Sequence, residues 1–142
     1  MKNMYLIITV LFFFTGCSEE ETKQQENSIY GTWKLIEVYS NIGNGENSWN
    51  EVDVGYTYTM NIDNSFLSTK YNECNSGKFE IDNAKNTISF IFDCLSFYPC
   101  VNQSNSCIEY FSFQEEKLIL SASYQDCDEG CPQFKFEKIS SE

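Results

Sequence analysis

The 142-residue chain contains no histidine, and its nine basic residues are all lysines. Without histidine, Ser-His-Asp and Cys-His nucleophilic chemistry cannot be built, and the side chain most often used to move protons near neutral pH is missing. Two carboxylates can still cleave a glycosidic bond, but Asp126, Asp128 and Glu129 are neighbours in one loop. Such adjacency does not set a separation across a substrate, so they read as a solvated turn and the chain as a non-enzyme. Phosphate binding needs a basic face that releases counterions, and a few lysines without arginine do not supply one. Nucleic acid is therefore excluded as a partner. Proline occurs twice and glycine seven times, and no Pro/Gly-rich linker divides the chain. The apolar run from Tyr5 to Phe14 is ten residues long, too short for an anchor helix, which needs about 20.

What that run does fit is a signal peptide. Lys2 gives a positive start, the apolar stretch follows, and Phe14-Thr15-Gly16-Cys17 places small residues directly before a cysteine. The segment resembles the lipobox of bacterial lipoproteins, with Phe14 in place of the usual aliphatic residue. The resemblance implies cleavage after residue 16, lipid on Cys17, and membrane attachment through several acyl chains. Ser18-Glu19-Glu20-Glu21 resembles the acidic export signal of Bacteroidetes-type surface lipoproteins, which implies an outer-membrane protein facing outwards. Residues 17–27 then form a short, acidic, disordered tether. Residues 1–16 hold one lysine and no acid. Removing them leaves eight lysines against 21 acidic residues, a formal charge of −13 that would attract a basic external protein.

With Cys17 assigned to lipid, six cysteines remain: Cys74, Cys94, Cys100, Cys107, Cys127 and Cys131. An even number in an exported chain reads as disulfides, with about fifteen pairings formally open. Zinc on Cys127 and Cys131, helped by Asp126, Asp128 or Glu129, is the competing use. Oxidation would remove the thiolates it needs, so neither metal nor cofactor is expected.

Residues 28–142 have the length of one domain, and the chain's 16% aromatic content favours a β core. Period-two alternation puts Val54, Tyr56, Tyr58, Met60 and Ile62 on one face. Phe79 and Ile81, then Ile88, Phe90 and Phe92, form a hairpin about Asn83-Ala84-Lys85-Asn86. Leu118, Leu120 and Ala122, and later Phe134 and Phe136, complete the pattern. Trp33 to Val38 and Ile108 to Phe113 change face midway, which predicts a bulge in each. The two long interruptions are Asn41 to Glu51 and Asp93 to Ser106; the second holds Phe97-Tyr98-Pro99 between two cysteines. About eight short strands joined by tight turns predict an all-β, eight-stranded antiparallel up-and-down barrel.

Gly31-Thr32-Trp33, at the start of the first strand, resembles the Gly-x-Trp opening of lipocalins and of lipocalin-like lipoproteins of Bacteroidetes. The resemblance implies a barrel closed at one end by Trp33 and a basic residue packed on it. The family's arginine has no counterpart here, so Lys135 or Lys138 would serve, and a second, Thr-Asp-Tyr-like motif is absent. It also implies a cup for a small apolar or amphipathic molecule, with Trp33, Tyr56, Tyr58, Met60, Phe79, Phe90 and Phe136 as candidate lining. The alternative use of the fold is a protein-binding or inhibitor module, similar to small lysozyme-inhibiting barrels, acting through disulfide-held loops at Phe97 and Tyr98. A monomer is expected in either case.

Overall fold

The computed structural model describes residues 28–41, 46–100, 104–123 and 131–141. The signal peptide, Cys17, the tether, Cys127 and the acidic residues beside it lie outside the described residues. The rest forms nine strands: β1 (Gly31–Asn41), β2 (Asn47–Glu51), β3 (Thr57–Met60), β4 (Ser65–Ser68), β5 (Ser76–Asp82), β6 (Thr87–Phe92), β7 (Ser106–Gln114), β8 (Lys117–Ala122) and β9 (Gln133–Ser140). Every pairing is antiparallel. β1 and β3 to β9 follow one another around a sheet that closes on itself where β1 pairs with β9, from Thr32↔Ser140 to Tyr39↔Gln133. The result is a closed eight-stranded up-and-down barrel, which leaves no free edge within the ring.

The ninth strand arises because β2 and β3 share one edge of β1. β3 pairs with Gly31 to Lys34, and β2 with Glu37 to Asn41. Between them Val52 N donates to Ile36 O and Leu35 N to Tyr56 O, each at 2.9 Å, so residues 53–55 step out of the ladder. Gly55 lies so close to the Leu35 carbonyl that a Cβ there would collide with it. This corrects two expectations. Asn41 to Glu51 is not all loop, because Asn47–Glu51 is a strand in which Trp49 packs against Tyr39 at 5.3 Å. Nor do Val54 and Ile62 share the Tyr58 face: they are 92% and 72% exposed, one in the step and the other in the tight turn after β3.

Of the two expected bulges, the one in β1 is present, with register shifts at Thr32/Trp33 and Leu35/Glu37. The other is not. β7 alternates without a slip, so Cys107, Glu109, Phe111 and Phe113 point inwards, while Ile108 and Tyr110 face out. A carboxylate thus occupies an interior position that hydrophobic patterning had given to its neighbours.

Aromatic rings fill the barrel. Trp33, Tyr58, Phe66, Phe79, Phe90, Phe92 and Phe136 are at most 2% exposed. Tyr58 stacks on Phe90 at 4.7 Å and meets Phe66 and Phe136 edge-on or tilted at 6.2 and 5.9 Å. Gly77 makes room for Phe66, whose ring a Cβ at residue 77 would strike. At the end where β1 begins, Trp33 Nε1 donates to Ile29 O at 2.7 Å and Lys138 Nζ lies 5.0 Å from the Trp33 ring. Lys138, rather than Lys135, therefore caps the tryptophan. Lys135 instead covers Trp49 at 3.9 Å and pairs with Glu37.

Candidate functional site

The opposite end of the barrel is its mouth. Here the β4–β5 connection (residues 69–75) meets the β6–β7 connection (93–105), and disulfides tie both down. Cys74–Cys94 joins the two connections, with Cα atoms 5.8 Å apart, and Cys100–Cys107 fastens the second to β7, with Cα atoms 5.7 Å apart. Cys131 is also disulfide-bonded, which removes it as a thiolate ligand for zinc. The other four described cysteines are paired with one another, so its partner lies outside the described residues.

Among the described residues, the buried polar side chains are Ser68 and Glu109, both at this end. Glu109 is 6% exposed and sits in the wall of β7, between Ile88 of β6 and Ala122 of β8. Lys70, two residues beyond β4, reaches back towards it. The Lys70 Nζ to Glu109 Oε1 distance is 4.0 Å, an ionic contact too long for a hydrogen bond. The same ammonium lies 5.4 Å from the ring of Tyr56, 5.3 Å from that of Tyr71 and 5.6 Å from that of Phe134. Each distance is within the range at which a cation is attracted to a ring face. Three elements supply the rings, so no stretch of sequence displays the cluster.

Burial raises the Glu109 carboxyl above its ordinary range, and the Lys70 charge opposes that rise. The Tyr58 phenol beneath is pushed well up, first by desolvation and then by the Glu109 charge; the Ser68 hydroxyl hydrogen-bonded to it works the other way. Tyr58 therefore stays neutral, a packed ring with a satisfied hydroxyl rather than an acid or base.

The residues expected to line a cup are brought together, but in contact with one another. Tyr58, Met60, Phe79, Phe90 and Phe136 are buried within the barrel, and Trp33 closes its far end. Tyr56 is the exception: it is only partly buried, packs edge-on to Tyr58 and Phe136 at 5.6 Å each, and reaches the mouth. The two loop residues divide. Phe97 turns inwards onto Tyr71 and Phe92, at 5.1 and 5.2 Å, while Tyr98 is 57% exposed. Sequence reasoning passed over Lys70, Tyr71 and Glu109. The available signal for Glu109 was its place two residues from both Cys107 and Phe111, which puts all three on one face of a regular strand.

A concavity of about 420 Å³ lies outside the barrel, on the faces of β5 to β7, lined by Glu80, Asp82, Lys85, Ser89, Ile108 and Tyr110 among others. It is shallow and mostly polar, with no buried charge. No protein-family model matches the chain, and no curated protein shows significant similarity to it.

Proposed function

We propose that this chain is a non-catalytic, lipid-anchored envelope protein of lipocalin-like type, whose barrel takes an amphipathic small molecule at its disulfide-bound mouth. The observation that carries this reading is the contrast between the two ends. The interior is packed with rings down to Trp33, whereas the mouth combines partly buried rings with an ion pair at 4.0 Å. A solid barrel gives no deep cup for a wholly apolar molecule. A shallow aromatic rim over a charged pair suits a ligand with an apolar body and one polar group. Anchoring is inferred from Cys17 and its lipobox-like context, and an outward-facing position from Ser18 to Glu21.

Native mass spectrometry of the full chain, extracted gently from its own envelope, tests the binding. A stoichiometric small-molecule adduct that is lost on Tyr71→Ala substitution is the expected result. A bare protein that takes up no amphiphile in titration would overturn it.

A second reading, docking of an external protein, is favoured by the disulfide-held loop. Phe97 anchors it while Leu95, 97% exposed, and Tyr98 are presented to solvent. A basic partner drawn by the acidic chain would lose association rate steeply with added salt.

A further inference from the structure

We propose that the mouth is a receptor for an organic ammonium group, and that Lys70 occupies it as a built-in stand-in which the ligand displaces. This deepens the reading above and rests on it, since it names the polar group of the amphipathic molecule. Three observations converge. Tyr56, Tyr71 and Phe134 place ring centroids 5.3 to 5.6 Å from one point, now held by the Lys70 ammonium. A buried carboxylate, Glu109, lies on the inner side of that point. At 4.0 Å, Lys70 approaches the carboxylate without closing a hydrogen bond to it, so its departure loses the ionic attraction and the three ring contacts, both of which an incoming ammonium restores.

The chemistry of the ring cluster selects the ligand. Ring faces attract cations, and they favour those whose hydration shell is easily given up, such as alkylated and quaternary ammonium groups. A primary ammonium like that of Lys70 is strongly hydrated and holds its water more tightly. Lys70 sits on the short connection after β4, with its backbone N–H bonded to Ser68 Oγ at 3.1 Å, and its side chain is 23% exposed. It can swing outwards by side-chain rotation alone, while Phe134 is held in β9, Tyr56 by the backbone bond from Leu35 N to its carbonyl, and the connection that carries Tyr71 by Cys74–Cys94. The excess of acidic residues adds long-range attraction for a cation.

The test compares choline with 3,3-dimethyl-1-butanol, which has the same shape but no charge, on the full chain in a nonionic detergent that is also offered as a nonionic amphiphile. Binding is read from ligand methyl proton shifts, which move upfield inside a ring cage. Choline is expected to bind at least about fivefold more tightly than the neutral isostere. Lys70→Ala should tighten choline further, because a competing occupant is gone, and Glu109→Gln should reduce the preference for charge to what the three ring faces alone supply. The double variant Lys70→Met/Glu109→Gln, which leaves no charge unpaired, should keep only the smaller, ring-derived preference for choline and serves as the folded control. Equal binding of choline and its isostere by the unaltered chain would overturn the ammonium assignment while leaving an amphiphile-binding mouth. Failure of choline, isostere and nonionic amphiphile alike would overturn both.

Discussion

Glu109 gives the residue scale its clearest consequence. Its carboxyl titrates above the ordinary value of 4.5 because burial disfavours the charge. A raised folded-state value means that its contribution to stability is fully present below about pH 4.5 and is lost as pH rises through the folded value. Asp63 and Asp82 have the opposite sign. Hydrogen bonds from Ser65 hold Asp63 below 3.8, and bonds from Lys85 do the same for Asp82, so their contribution is lost only as pH falls through those lowered values. Glu109→Gln should therefore gain stability relative to the unaltered protein as pH rises from 4 to 7, measured by denaturant unfolding at a series of pH values. The aspartates cancel in that difference, and a constant gap would contradict the assignment. Lys138 makes a second prediction. It lies over Trp33, donates to Ser28 O at 2.9 Å, and is held below its usual range by desolvation. Lys138→Ala should cost about 1 kcal/mol, from the lost cation–π contact and packing, and should alter the Trp33 emission spectrum.

At the scale of elements, the turns decide how far sequence could be read. The turn at Asn83-Ala84-Lys85-Asn86 was legible because its chemistry is local: Ala84 N donates to Asp82 Oδ1 at 3.0 Å, and Asn86 takes φ +53°. The turn between β7 and β8 was not, because Glu115 and Glu116 both adopt positive φ, +49° and +63°, in a two-residue loop that ordinarily selects Asn-Gly. Replacing the pair with Asn-Gly should stabilise the protein by roughly 1 kcal/mol in thermal or denaturant unfolding, with no change in the mouth. Gly77 gives the reverse case. Gly77→Ala would drive a Cβ against the Ile91 carbonyl and the Phe66 ring, and should destabilise by about 1 to 3 kcal/mol in the same assay. The strands themselves were legible wherever one face is core. The exceptions were β2, which lies outside the barrel and has only exposed or partly buried side chains, and β7, where the inward residue is charged.

For the whole molecule, Cys74–Cys94, Cys100–Cys107 and the closed ladder act together at the mouth. In the loop-entropy account, Cys74–Cys94 closes a 20-residue separation and contributes about 3 kcal/mol, whereas Cys100–Cys107 closes seven and contributes about 2 kcal/mol. The loss of Cys74–Cys94 in a Cys74→Ala/Cys94→Ala variant should accordingly lower stability more than the corresponding loss of Cys100–Cys107. It should also weaken the proposed binding at the mouth, because it frees the connection that carries Lys70 and Tyr71.

The sequence by itself determined the barrel. Alternation of apolar and polar residues is a local record of which face meets the core, and tight turns fix the order of strands, so eight antiparallel strands in sequence follow from both. It also determined that the cysteines of this region would pair, though not how. Only the tertiary structure decided the pairing, the filling of the barrel by rings in mainly edge-on contact, the choice of Lys138 over Lys135 as the cap of Trp33, and the meeting of Lys70 with Glu109. Each of these depends on distances between elements far apart in the chain, set by strand register and barrel closure. A pattern of neighbours carries no measure of them.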